Sequence, residues 1–262
     1  MANRFFAHPL SVIPAAGHTM NLSVHPLDLG TLNVDKGGLT LRRGVGTRVD
    51  APCLGYLIMG GAEPILVDSG PCADPEWGTR YHNPFRRSPE QSLANALQSR
   101  GVGLDAIRTV IVSHLHWDHC YGNALLPNAR FIVQRRELAY AIAPLPCDVP
   151  IYETQLHPVH FLRTLERFDV VDGDVDVAPG VRCILLPGHT PGLQGVLVDT
   201  MHGRVMIASD HCPLYENFEQ LVPTGIIHDL EAWYASTARI RALAGRIFPG
   251  HDARVLGPEQ GT

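Results

Sequence analysis

The apolar run Thr109-Val110-Ile111-Val112 gives way directly to Ser113-His114-Leu115-His116-Trp117-Asp118-His119. Three imidazoles and one carboxylate fall within the six residues from His114 to His119, straight after a segment that reads as a buried strand. Strand ends are where α/β sheets present their reactive groups. Histidine and carboxylate are also the donors that Zn²⁺ and related cations take. His114 and His116 alternate with Leu115 and Trp117, so two ligands can face one way while two apolar side chains anchor the loop from the other. Asp118 and His119 leave that alternation and can aim at a second position nearby. The alternative, a chance cluster of solvated histidines, fits badly with so dense a run after a buried strand, and the spacing predicts a metal loop.

Four further segments stand in order around this loop. Ile65-Leu66-Val67-Asp68-Ser69-Gly70 precedes it, and Gly188-His189-Thr190-Pro191-Gly192, Ser209-Asp210 and Pro249-Gly250-His251-Asp252 follow it. Together with His114-x-His116-x-Asp118-His119 they resemble the motifs of the metallo-β-lactamase-fold hydrolases. That resemblance implies a four-layer αββα sandwich, an α/β fold, formed by residues 1–262 as a single domain. It also implies two divalent cations, one held by His114, His116 and His189 and the other by Asp118, His119 and His251, with Asp210 bridging them. Nitrogen and carboxylate donors suit Zn²⁺ but equally Fe or Mn. Two such ions can share a hydroxide that attacks a carbonyl carbon, and Asp210 would then pass a proton to the departing oxygen.

Within the fold the chain is most similar to the N-acyl homoserine lactonases, in length, in Gly122-Asn123 after the metal loop, and in Glu216-Asn217-Phe218 and Val222-Pro223 after Asp210. The expected reaction is the opening of a lactone by a bridging hydroxide, with Asp118, Asp210 and Tyr215 as catalytic residues. Tyr215 enters because that family carries a tyrosine three residues after the bridging aspartate, where this chain has Pro213. Tyr121 is another candidate, and an ordinary half-buried aromatic is the plain reading of Tyr215. Thioesterase or other carboxylic ester hydrolase activity, and a mononuclear iron sulfur dioxygenase, stand as alternatives. His211, beside Asp210, reads as a packing or supporting residue.

The 262-residue chain is 45% hydrophobic and 18% charged, which allows a sizeable core and argues against disorder. A formal net charge of −5 leaves no basic footprint for nucleic acid, so the expected partner is a small molecule, with a homodimer left open. Six cysteines, at 53, 72, 120, 147, 183 and 212, lack any Cys-x-x-Cys pair and read as small buried hydrophobes in a reducing compartment. Met1 to Met20 is a poor signal peptide, and no apolar run approaches the ~18 residues of a membrane span. The expected location is cytoplasmic.

The elements that must position the loop follow from pattern. Strands are expected at 39–41, 54–58, 65–67, 130–133, 181–186, 195–198, 204–208 and 247–248, with helical patterns at 134–143 and from the Asp229 N-cap to Leu243. Ser88-Pro89-Glu90-Gln91 begins a helix with a capping box, stopped by Gly101. Asp68 reads either as a turn carboxylate or as a support for the metal loop. Residues 70–87 and 144–160 read as irregular, aromatic-rich loops that could form the substrate mouth. His157 and His160, with no carboxylate near in sequence, read as solvated or packing histidines.

Overall fold

The computed structural model describes residues 21–156 and 159–257. Seven strands, β1 (Ser23–Asp35), β2 (Arg48–Met59), β3 (Ile65–Val67), β4 (Phe85–Arg86), β5 (Thr109–Ile111), β6 (Arg130–Gln134) and β7 (Phe168–Val171), form one sheet in the order β4-β1-β2-β3-β5-β6-β7. Five more, β8 (Val175–Ala178), β9 (Val181–Leu185), β10 (Gln194–Thr200), β11 (Gly203–Ser209) and β12 (Arg246–Pro249), form the second in the order β12-β11-β10-β9-β8. The α-helical segments are α1 (Lys36–Leu39), α2 (Pro75–Tyr81), α3 (Leu93–Gln98), α4 (Trp117–Cys120), α5 (Arg135–Ile142), α6 (Val149–Tyr152), α7 (Tyr215–Glu219) and α8 (Leu230–Leu243).

The two-residue period of the strands decides the layering. Leu57, Leu66, Val110 and Phe131 lie side by side in register and pack outward with Leu93 and Leu97 of α3. Tyr56, Val67, Ile111 and Ile132, one residue on, face inward and meet Val196, Val198, Ile207 and Phe248 of the second sheet. The outer face of that sheet, through Ile184, Leu186 and Met206, packs on Ile240 of α8. Helix, sheet, sheet and helix are therefore the four expected layers. Asp68, the metal loop, Asp210 and His251 follow the ends of β3, β5, β11 and β12, so one edge of the sandwich collects them.

Several local expectations are corrected. Residues 39–41 are not a strand: Leu39 ends α1, and the Thr40 hydroxyl bonds to the carbonyls of Lys36 and Arg43. The strand lies earlier, in β1, whose alternation is hidden by Pro26 and by a bulge between Asp28 and Thr31, where Gly30 takes φ +130°. The helix from Ser88 is interrupted at Ser92, which has ψ 143° and N-caps α3 after a 3₁₀ turn over Pro89–Gln91. Residues 70–87 are not a plain loop but contain α2 and β4. Among the described residues no helix is long and apolar enough to cross a membrane. The reading of Met1 to Met20, and that of His157, lie outside the described residues.

Candidate metal centre

The loop after β5 is held by two buried carboxylates. Asp68 Oδ1 accepts from the Ser113 backbone N–H at 2.7 Å, and its Oδ2 accepts from Ser113 Oγ at 2.7 Å and pairs with His119 Nδ1 at 2.9 Å. Both sequence readings of Asp68 thus apply to one side chain: it closes the turn and fixes a histidine of the loop. Glu137 of α5, which sequence reasoning passed over, accepts from Leu115 N at 2.9 Å, Tyr152 OH at 2.9 Å and Thr190 Oγ1 at 2.5 Å. It therefore ties the backbone between His114 and His116 to the residue after His189.

Each of the five imidazoles is anchored or oriented by protein neighbours. His189 Nδ1 donates to the Ile226 carbonyl at 2.7 Å and His251 Nδ1 to the Pro52 carbonyl at 2.8 Å, leaving both Nε2 atoms turned inward. His114 Nδ1 lies 2.9 Å from Ser113 Oγ. His116 is reversed, with its ring edge against Tyr152 and its Nδ1 inward, 3.0 Å from His114 Nε2 and 3.2 Å from His189 Nε2. These three nitrogens form one cluster.

Asp210 lies between this cluster and the other histidines. Its Oδ1 is 3.2 Å from His251 Nε2 and 3.4 Å from His119 Nε2, and its Oδ2 is 3.7 Å from His189 Nε2. Asp118 lies 3.7 Å from His251 Nε2 and 3.9 Å from His119 Nε2. Close approach of the last strand makes this possible, because a Cβ at Gly250 would collide with Asp210 Oδ1. His119 Nε2 and Asp210 Oδ1 are buried without a directed hydrogen bond, a costly arrangement for polar atoms unless a cation completes it.

Charge follows the same division. Burial, helped by neighbouring imidazoles, holds His114 and His116 well below the usual histidine range, so both rings are neutral donors. Burial likewise lowers His189. For His119 and His251 burial works the same way, but the Asp210 carboxylate overrides it and raises both. Asp210 is in turn held well below the carboxylate range, since the charges of His251 and His119 outweigh its burial. Five imidazoles with inward nitrogens, two carboxylates and two unsatisfied buried atoms suit a pair of divalent cations.

A cavity of about 110 Å³ opens onto these groups, enough for one small ring at the histidines. Its wall includes His116, Asp118, His189, Asp210 and His251 together with the aliphatic Leu32, Val34, Leu39, Ile151 and Ile226. Trp117 lines it too, stacked face to face on His82 at 4.0 Å. His82, Asn83 and Ile151 bring both expected mouth segments, 70–87 and 144–160, to the rim.

Tyr215 and Tyr121, expected to reach a substrate carbonyl, lie elsewhere. Leu214 begins α7 and turns the Tyr215 ring under the Arg254 guanidinium, at 4.4 Å, while Tyr121 stacks on His160. Pro213 and Thr224 line the cavity instead, and Thr224 Oγ1 is buried with no hydrogen-bond partner among the described residues. His211 packs on Trp233 and pairs with Thr237 Oγ1, away from the cluster. Five cysteines are buried and Cys147 is exposed. Cys53 is a buried sulfur as expected, but it lies beside Asp118 and His251.

The expectation that His160 lacks a carboxylate is corrected by Glu153, which meets His160 Nδ1 at 3.1 Å, His82 Nε2 at 2.8 Å and Trp77 Nε1 at 3.2 Å. It clamps both rim segments together. Burial alone would raise the Glu153 carboxyl, but its bonds to His160, His82 and Trp77 bring it from 4.5 down to about 2. A carboxyl lowered on folding stabilises the fold above its unfolded pKa, and that contribution is lost as pH falls from about 4.5 through about 2. Urea unfolding of Glu153→Gln should therefore show a deficit on the order of 2–3 kcal/mol at pH 6 that closes as the pH approaches 2. A deficit independent of pH would show that the carboxylate charge is not what matters.

The metallo-beta-lactamase superfamily model matches residues 48–251. The chain is 30% identical over 227 residues to an N-acyl homoserine lactonase of Bacillus thuringiensis, covering 79% of this chain and 84% of that protein. A solved N-acyl homoserine lactone hydrolase, with N-hexanoyl-L-homoserine bound at its catalytic metal center, superposes with a TM-score of 0.75 at 26% identity, covering 88% of this chain and 94% of that one. AidC, a dizinc quorum-quenching lactonase, shares the fold at a TM-score of 0.65 and 20% identity, with 88% of each chain covered. With β2 to His251 inside the matched span and the histidine and aspartate cluster at its sheet edge, the chain belongs to the metallo-beta-lactamase superfamily, among the relatives of the N-acyl homoserine lactonases.

Proposed function

We propose that this chain, acting as one catalytic domain over residues 1–262, is a metal-dependent hydrolase that opens lactone rings, N-acyl homoserine lactones first among them. The observation that carries the reading is the convergence of five oriented imidazoles and two carboxylates, of which His116, His189, His251, Asp118 and Asp210 line a cavity shared with aliphatic side chains. His114, His116 and His189 would hold one divalent cation and Asp118, His119 and His251 the other, with Asp210 as a carboxylate within reach of both groups. Zn²⁺ fits these donors, as do Fe and Mn. When bound, such ions polarise a carbonyl and lower the pKa of water to about 7, which supplies a nucleophile at neutral pH.

The chain's own residues do the rest. The aliphatic wall of Leu32, Val34, Leu39 and Ile226 takes the acyl chain, and Trp117, fixed by His82, closes the side of the pocket. Hydrolysis breaks the bond between the acyl carbon and the ring oxygen, and that oxygen needs a proton as it leaves. Asp210, at the centre of the cluster, takes the proton from the attacking water on its other oxygen, Oδ2, and returns it to the ring oxygen. Thr224 occupies the wall where its hydroxyl can donate to the substrate carbonyl oxygen, a contact that Pro213 cannot make. Thr224→Val should lower kcat by about 10²-fold with little change in KM, and Thr224→Ser should retain most of it. Equal loss in both variants would assign Thr224 to packing.

The function is tested by following acid release in a pH-stat on a panel of acyl homoserine lactones, aromatic lactones, thioesters and penicillins, with and without chelator. Chelator-sensitive turnover of the lactones is expected. Turnover of thioesters alone would assign the site to a different ester class, and oxygen uptake with a persulfide would make it an oxidoreductase.

A further inference from the structure

We propose that the thiol of Cys53 is a ligand of the second cation, completing the position formed by Asp118, His119, Asp210 and His251. The inference rests on the two-cation reading above and adds a donor that this reading does not contain. Strand β2 brings it there: the Pro52 carbonyl fixes His251 Nδ1 at 2.8 Å, and the next residue carries the sulfur. Cys53 Sγ, a carboxylate oxygen of Asp118 and a ring nitrogen of His251 all lie within 4.8 Å of one another, and Cys53 is completely buried. The sulfur is a free thiol, not part of a disulfide.

Two further buried atoms lack partners, and His251 joins them to the cysteine. His119 Nε2 and Asp210 Oδ1 are buried, make no directed hydrogen bond, and lie 3.4 Å apart, with His251 Nε2 3.2 Å from the same oxygen. A cation taken up by His251 together with these atoms is the one that the Cys53 sulfur, within 4.8 Å of a His251 ring nitrogen, would reach. Two divalent cations bring four positive charges, faced directly by the carboxylates of Asp118 and Asp210. A coordinating thiolate offsets one more charge, and sulfur is a strong donor for zinc. Without a cation the same side chain is only a small apolar filler of β2, as its sequence context reads.

The test uses the full chain loaded with Co²⁺, whose near-ultraviolet thiolate-to-metal charge-transfer band reports sulfur ligation directly. The expected result is a band in the wild type that is absent from Cys53→Ala and Cys53→Val, while the visible cobalt absorption from nitrogen and oxygen donors remains. Affinity for the second cobalt should fall by about 10–100-fold in these variants. Circular dichroism identifies a variant that has not folded, and the wild-type spectrum alone then decides. Two bound cobalt ions without the band, or a band that survives in Cys53→Ala, would overturn the thiolate while leaving the lactonase reading intact. No cobalt binding at all would overturn both.

Discussion

Asp210→Asn is expected to lower lactone turnover by about 10²–10⁴-fold while leaving the protein folded. The carboxylate lies within 3.2–3.7 Å of nitrogens from three histidines, His251, His119 and His189, which no other side chain in the cluster matches. An amide of the same shape keeps one acceptor oxygen but removes the charge and places N–H donors toward cations or imidazoles. It also cannot carry the proton from the attacking water to the leaving oxygen. The measurement is kcat by pH-stat together with metal content per chain. A near-normal rate with both cations retained would remove Asp210 from the proton path, and a low rate with normal metal content would separate proton transfer from ligation.

Glu137→Ala should be the most destabilising single change near the site, by roughly 3–5 kcal/mol, because each buried donor left without its acceptor costs about 1–3 kcal/mol. Three such donors depend on this carboxylate: Leu115 N, Tyr152 OH and Thr190 Oγ1. Burial pushes the Glu137 carboxyl above its ordinary range, and these donors limit that rise by favouring the charged form. For a chain of this length the loss corresponds to a fall in Tm of roughly 10 °C. Because Leu115 separates His114 from His116 and Thr190 follows His189, the first cation should also bind more weakly. Thermal melting and metal titration of the variant check both effects. An unchanged Tm would mean that the loop is positioned by Asp68 and the core alone.

The parts of this molecule that could be read ahead of its structure are those where the chemistry is local. His114, His116 and His119 fall in the short segment between β5 and the end of α4, and their dense spacing after a buried strand is visible within a few residues. Asp229 as the N-cap of a helix ending at Leu243 was legible for the same reason, since capping acts within one turn. Elements whose character depends on distant partners were not. Strand β1 is paired along its length with β2, yet Pro26 and the bulge at Gly30 break its visible alternation. Glu137 looks like an ordinary helical glutamate until Leu115, Tyr152 and Thr190 surround it. A glutamate on the buried side of a helical stripe next to Leu138 and Ala141 was the one available hint. Glu153 and Cys53 are alike in this respect: their partners lie in other segments, and nothing within a few residues marks them. Tyr215, the nearest tyrosine to the family position held here by Pro213, has its ring beneath the Arg254 guanidinium, a long-range contact that its neighbours in sequence do not mark.

On the proposed reading two cations, and not one, make the catalyst. Adding Zn²⁺ stepwise to the metal-free chain while measuring the initial rate of N-acyl homoserine lactone opening tests this directly. The account predicts a rate that rises until two equivalents per chain are bound and stays level thereafter. Full activity at one equivalent, with the second adding nothing, would contradict it.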